Sequence, residues 1–272
     1  MEPLTMHVVT DLKDIPKLHS PCVLSIGTFD GLHLGHLSLL YKAREITKSG
    51  LNPGTLAVLT FSNHPSELFT PKKVSPRLSS PEHKLQLFQE HGVDLVISLT
   101  FNRSLSEKPY DHFLKWIKDS VPFSHLVLGS DALFGKNRDG SPEKVINLGN
   151  LLSFKAAYHP KFEYQGEPIS SSLIRKHVTD GNLEIASKML GRPYSIVALF
   201  SPPPHQKDLF FAEQVTLSNL CLPPQGTYKV MVKIKNRFIP ATAEINKEPQ
   251  LLSVRLEKAE KLASPLMFEV IF

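Results

Sequence analysis

Cysteine is scarce in this chain: two residues, Cys22 and Cys221, stand far apart and form no Cys-x-x-Cys pair. That excludes a disulfide framework and a thiolate metal site, and it points to a reducing cytoplasm as the location. No apolar run approaches the roughly 18 residues of a membrane-spanning helix. The opening Met-Glu-Pro-Leu-Thr-Met lacks a basic start and an apolar stretch, so no secretory leader is expected. Charge of one sign is also missing in bulk. Lys and Arg number 31 against 26 Asp and Glu, a spread-out excess of +5. No run of cations interleaves with aromatics, so no nucleic-acid groove is expected, while small anionic ligands such as phosphates suit the balance. Internal repeats and low-complexity tracts are absent, apart from three prolines at 202–204.

What is present is ordinary globular material, 41% hydrophobic and 21% charged over 272 residues. At roughly 150 residues per domain, that length suits two domains. The first two thirds alternate apolar runs with helical patterns. Strands are expected at 23–27, 55–61, 94–101, 125–129 and 152–158, and helices at 34–48, 81–91, 110–119 and 183–190. In the first helix Leu37, Leu40 and Tyr41 share the face expected to be buried. Near-continuous apolar strands alternating with helices predict a parallel sheet covered on both faces. After Gly191-Arg192-Pro193 the pattern changes to short strands, at 227–234, 237–243 and 251–256, with a weak helical stretch at 257–262. A small β domain, sandwich or barrel, is expected there.

Four segments carry chemistry. Gly27-Thr28-Phe29-Asp30-Gly31-Leu32-His33-Leu34-Gly35-His36 joins a strand to a helix at the carboxyl edge of the sheet, where open α/β sheets bind ligands. His33 and His36 are three apart, so both rings leave one side of the first helical turn. Gly35 leaves room for phosphates, and the free helix N–H groups favour an anion. Two imidazoles beside an anion pole suit phosphoryl chemistry. The same pair could be half of a zinc site, but no Cys or third His partner is evident, so no protein metal site is expected. Ile169-Ser170-Ser171-Ser172-Leu173-Ile174-Arg175 reads as an N-capped helix. With Arg175 one turn on, it is also a candidate phosphate cradle. Gly129-Ser130-Asp131 opens a glycine-rich loop running to Gly140, in which Asp131 can accept hydrogen bonds from a nucleoside. Asn63-His64-Pro65 follows the second strand and by itself reads as a turn.

Taken in order, these segments and Leu190-Gly191-Arg192-Pro193-Tyr194 resemble the bacterial bifunctional riboflavin kinase/FAD synthetase family over roughly residues 20–195. The resemblance implies an α/β fold: a Rossmann-like nucleotidyltransferase domain with a parallel sheet at 1–185, then a riboflavin-kinase-like β-barrel at 186–272. It implies transfer of AMP from ATP, with Mg²⁺, to FMN and release of pyrophosphate, with ATP and FMN as the small-molecule partners. By position, His33, His36 and Arg175 would be catalytic, the histidines meeting the ATP phosphates. Gly27, Phe29, Asp30 and Gly35 would shape the nucleotide loop. Asn63, His64 and Pro65 would lie near the flavin, and Gly129 and Asp131 near the adenosine. Ser170, Ser171 and Ser172 would hold the triphosphate end with Arg175. Leu133 departs from the Arg usual before Phe-Gly. In the second half the family's Gly-Phe-Pro-Thr-Ala-Asn signature is replaced by Leu209-Phe210-Phe211-Ala212-Glu213-Gln214, and Ser253 stands where its Val-Glu-Val strand carries the catalytic Glu. Leu222-Pro223-Pro224-Gln225-Gly226-Thr227-Tyr228 keeps the family's lead into a barrel strand. Adenylyl transfer with kinase activity lost is therefore expected. The His-x-Gly-His arrangement is also similar to enzymes acting on pantetheine phosphate, nicotinamide mononucleotide or glycerol phosphate, and a non-catalytic flavin or nucleotide binder is the third alternative.

Overall fold

The computed structural model describes residues 6–19, 21–49, 53–69, 74–203, 208–217, 219–248, 250–258 and 265–272. Packing divides the chain into two compact units, one of residues 1–75 and 85–168, the other of residues 76–84 and 169–272.

The first unit holds β1 (His7–Val9), β2 (Cys22–Ile26), α1 (Leu34–Thr47), β3 (Thr55–Phe61), α2 (Pro65–Phe69), the end of α3 (Pro81–Glu90) and β4 (Leu95–Leu99). It continues with α4 (Arg103–Ser106), α5 (Tyr110–Ser120), β5 (His125–Gly129), α6 (Pro142–Leu152), β6 (Lys155–His159) and the hairpin β7 (Glu163–Tyr164) and β8 (Glu167–Pro168). Six strands form one parallel sheet in the order β1-β4-β3-β2-β5-β6. Because side chains alternate across a strand, neighbours in sequence feed opposite cores. Leu24, Ala57, Leu59, Ile97 and Leu126 pack against Phe113, Leu114 and Ile117 of α5. Val23, Leu56, Val58, Val96 and Val127 pack against Leu37, Leu40 and Ala43 of α1. This two-sided demand explains the near-continuous apolar strands.

The second unit adds α7 (Ser171–Thr179), α8 (Leu183–Leu190), β9 (Ser195–Ser201), β10 (Leu209–Ala212), α9 (Gln214–Leu217), β11 (Gly226–Ile234), β12 (Arg237–Lys247), β13 (Gln250–Leu256) and β14 (Leu266–Ile271). Its strands close an antiparallel barrel in the order β10-β13-β12-β11-β14-β9. Ile239, Ala241, Ala243 and Ile245 of β12 alternate with more exposed neighbours. Leu252, Val254 and Leu256 do the same work on β13.

The α/β sheet and the barrel agree with expectation, and β3, β5 and α8 occupy the expected residues. Other elements differ. The strand expected at 152–158 begins only at Lys155, because Leu152 ends α6 and Ser153 turns the chain in the left-handed region. Tyr41 is exposed: its hydroxyl lies 3.2 Å from His91 Nδ1, and Leu39 takes its place on the buried arc of α1. The packing units differ from the expected 1–185 and 186–272 in placing α7 and α8, which pack on each other, with the barrel. Of the weak helical stretch, 259–262 lies outside the described residues, as does Pro204.

Residue 83 ties the 76–84 segment into the second unit. His83 is 2% exposed, and its Nε2 lies 3.7 Å from Glu269 Oε1. Burial nevertheless dominates, with the charges of Arg192 and Lys233 adding to it, and pushes the imidazole down from 6.5 to about 3. Between those values the unfolded chain binds a proton that the folded chain refuses, so stability is full above pH 6.5 and falls as pH drops toward 3. Replacing His83→Gln should flatten this acid slope of the melting temperature. An unchanged slope would remove His83 as its source.

Candidate active site

Strand β2 is buried at all five positions and lies at the centre of the sheet. The chain passes from β2 through β3 to β4 on one side, and β5 and β6 lie on the other, so the loops after β2 and β5 diverge. That divergence is the topological switch point, where open α/β sheets place ligands.

The loop after β2 is tight. Phe29, Gly31 and Leu32 all have positive φ, at 50°, 75° and 35°. Such backbone is costly for Phe and Leu and persists only where packing enforces it. Here the Phe29 ring is buried edge-on against Phe88 and His36, with centroids 5.5 and 5.1 Å away, and Leu32 is fully buried. A Cβ on Gly27 would lie 3.2 Å from that ring, so a side chain there would have to push the ring aside by a few tenths of an ångström.

The turn delivers His33 to the N-cap of α1. Its Nδ1 accepts the His36 backbone N–H at 3.3 Å. An accepting Nδ1 leaves the ring proton on Nε2. The His33 and His36 rings stack, with centroids 3.6 Å apart and planes 16° apart. His33 and Asp30 are each 5% exposed, His36 and Gly35 half-buried. Two imidazoles thus stand together where α1 presents its free N–H groups.

Beside this turn lies a cavity of about 830 Å³. Gly27 and Thr28 border it after β2, Pro65 and Phe69 after β3, Phe101 after β4, and residues 131–138 after β5. Its walls are aromatic. Phe61 and Phe69 meet Phe101 edge-on at 5.2 and 5.8 Å, and Phe113 stacks near Phe134 at 6.3 Å. Arg103, paired with Glu107 at 2.6 Å, also borders it, with Lys136 and Arg138. The loop after β5 is pinned at Gly135, where φ is +73° and a Cβ would lie 2.3 Å from the Tyr110 nitrogen.

Phe29, Asp30, His33, Gly35 and His36 stay in the turn and the start of α1 and do not line the cavity, and the other expected residues fall into three groups. Gly27, Pro65 and Asp131 border the cavity, and Asp131 Oδ2 pairs with Lys161 at 2.9 Å. Gly129 ends β5 just before it. Asn63 and His64 brace its floor instead. The Asn63 amide donates to the Phe101 carbonyl at 2.9 Å and accepts the Phe101 N–H at 2.7 Å. His64 Nδ1 accepts the Ser66 N–H at 3.1 Å at the start of α2. Ser170, Ser171, Ser172 and Arg175 form a separate group in the second unit. The Ser170 hydroxyl caps α7 by accepting the Leu173 N–H at 3.2 Å, and Arg175 Nη2 donates to Ser172 Oγ at 3.1 Å. Sequence reasoning missed the aromatic walls, since single phenylalanines at the ends of different strands form no motif.

A parallel α/β sheet with paired imidazoles at a helix N-terminus, joined in one chain to a closed barrel, defines a Rossmann-like nucleotidyltransferase domain followed by a small antiparallel barrel. Residues 15–173 match the family model of FAD synthetase. A bifunctional riboflavin kinase/FMN adenylyltransferase of Escherichia coli K12 is 30% identical over 86% of this chain and 75% of its own. Another of that name, from Buchnera aphidicola, is 32% identical over 70% of this chain and 61% of its own. The chain belongs to the FAD synthetase family. A Streptococcus pneumoniae structure titled macrolide-efflux protein shares the fold, with a TM-score of 0.81 and 22% identity over 98% of this chain and 89% of its own.

Truncating Asn63→Ala should remove both bonds to Phe101 and cost about 1–3 kcal/mol of stability, at roughly 0.5–1.5 kcal/mol net per hydrogen bond. Urea denaturation of parent and variant measures this, and no loss would mean that the brace is idle.

Proposed function

We propose that this chain is an FMN adenylyltransferase, joining FMN to the AMP part of ATP. The carrying observation is the stacked His33–His36 pair at the N-terminus of α1, which follows the central strand β2 at the switch point of the sheet. An oxygen of the FMN phosphate attacks the α-phosphorus of ATP in line. A new P–O bond forms, the bond to the bridging α–β oxygen breaks, and pyrophosphate leaves. No covalent enzyme intermediate is needed. The His33 Nε2–H and the His36 ring donate to oxygens gaining charge, beside the N–H groups of α1. Ser170, Ser171, Ser172 and Arg175 take the phosphate end of the nucleotide, and Gly129 and Asp131 the nucleoside. The phenylalanine-walled cavity receives the isoalloxazine ring, which suits aromatic packing.

Among the described residues no three His, Cys, Asp or Glu side chains group as a metal cage. Mg²⁺ enters as MgATP, held mainly by phosphate oxygens and water. Both cysteines are buried and unbridged, which fits the reducing cytoplasm proposed as the location. Among the described residues no helix is long and apolar enough to cross a membrane.

Kinase activity in the barrel is proposed to be lost. Ser253 is buried on β13, and the register sets Glu244 of β12 directly opposite it. A second reading follows from that pairing: Glu244 supplies the missing carboxylate.

One incubation series tests the assignment. MgATP with FMN should give FAD and pyrophosphate, and MgATP with riboflavin should give no FMN. Pantetheine phosphate, nicotinamide mononucleotide and glycerol phosphate should release no pyrophosphate. Flavin binding without turnover would make the chain a binder rather than an enzyme. FMN from riboflavin that disappears in Glu244→Gln would establish the second reading. Substituting His36→Ala should lower kcat about 100- to 1,000-fold, the usual loss for one transition-state donor, with an unchanged melting temperature. Parent-like FAD production by that variant would discharge His36 from its role.

A further inference from the structure

The motif Leu190-Gly191-Arg192-Pro193-Tyr194 has no part in the chemistry above. Tyr194 is 1% exposed, and its hydroxyl donates to the Cys221 carbonyl. Cys221, also 1% exposed, donates its N–H to the Arg77 carbonyl at 2.7 Å. Its thiol donates to the Arg175 carbonyl at 3.8 Å, in the middle of α7. A buried chain of contacts therefore runs from Tyr194, the residue before β9, through Cys221, to the backbone of the residue proposed to grip phosphate.

A second line of contacts holds the same helix. The turn between α7 and α8 passes through Gly181, with φ at +82°, and a Cβ there would lie 3.2 Å from Pro224 Cγ. The Pro224 carbonyl accepts the Tyr228 hydroxyl of β11 at 2.7 Å. The Phe272 ring lies 6.2 Å from that of Tyr194 and 5.5 Å from that of Tyr228. The Tyr194 N–H donates to Ser187 Oγ of α8 at 3.2 Å. The stretch 220–224 is thus fixed to the barrel by two tyrosines and meets the α7–α8 pair at two points.

We infer that the barrel acts as a rigid mount for α7, with Tyr194 and Cys221 as positioning residues for Arg175 and the Ser170–Ser172 hydroxyls. The inference rests on the reading of α7 as a phosphate cradle. Placement is what such a mount supplies, and a 1 Å shift of a binding group far from the chemistry can cost about 100-fold in rate. It also gives a barrel proposed to lack kinase chemistry a continuing function in the transfer reaction.

The test uses the full chain and four variants: Tyr194→Phe, Cys221→Ala, Cys221→Ser and Arg175→Ala. Calorimetry measures MgATP and FMN binding separately, kinetics measures KM for each substrate and kcat, and melting reports stability. Tyr194→Phe and Cys221→Ala should each weaken MgATP binding and raise its KM about 3- to 10-fold, as one lost hydrogen bond implies. FMN binding should stay at the parent value, and Cys221→Ser, which keeps a donor, should restore MgATP binding. A fall in melting temperature with MgATP binding unchanged, or an equal loss of affinity for both substrates, would overturn the mount. If only Arg175→Ala loses MgATP binding, the mount fails and the cradle stands. Normal MgATP binding in all four variants would overturn the cradle, and the mount with it.

Discussion

The contact between the His36 backbone N–H and His33 Nδ1 is the constraint on which the proposed chemistry depends. It closes the first turn of α1 and fixes the His33 proton on Nε2. It also holds the second imidazole in register with the first. None of this would survive if the chain left β2 by a looser route. The turn from Gly27 to Leu32 has to reverse within a few residues, and it does so through backbone that Phe29 and Leu32 would avoid if unpacked. Their burial supplies the compensation. A hydrophobic ring with no chemical duty of its own therefore sets the geometry of the polar pair.

The second unit separates scaffold from chemistry. The buried face of β12 is apolar and alternates along the strand, while on β13 a buried serine, Ser253, stands between Leu252 and Val254 where no carboxylate is present. Packing constrains the first set and is indifferent to the second, so a barrel can keep its fold after a reaction is gone. A fold retained for packing alone would need only its own core, yet the Tyr194 hydroxyl holds the Cys221 carbonyl and the Cys221 thiol reaches the Arg175 carbonyl of α7.

Much of this was legible in the sequence, and the exceptions have physical causes. Strands β3 and β5 announce themselves because both faces of the sheet are covered and their central residues run apolar on both. The spacing of His33 and His36 fixes their common face at any α-helix start. Strands β9, β10 and β14 were not resolved as strands, since short barrel strands show no long period and Pro-rich punctuation interrupts them. Tyr41 was assigned to the buried face from hydrophobicity alone, whereas a Tyr can sit exposed and satisfy its hydroxyl on a neighbouring His. Asn63 was read for its chemistry, but a loop amide that pairs with backbone on another strand leaves no trace in its own neighbourhood of sequence. The same holds for Cys221, whose partners at Arg77, Tyr194 and Arg175 come from three distant segments.

The site also divides by the kind of structure that makes it. Apart from Arg175 in the middle of α7, the groups proposed to meet phosphate lie at the starts of α1 and α7, where the backbone is fixed by caps and the charge preference follows from the helix itself. Groups proposed to meet the flavin come from several separate segments: the end of β3, α2, α5 and the loops after β2, β4 and β5. Loops tolerate change that helix starts do not. A family built this way can keep one transfer reaction while its acceptor is set by the aromatic walls. On the proposed reading, acceptor identity in this chain turns on Phe61, Phe69, Phe101, Phe113 and Phe134 more than on the histidine motif, which any phosphorylated acceptor would use equally.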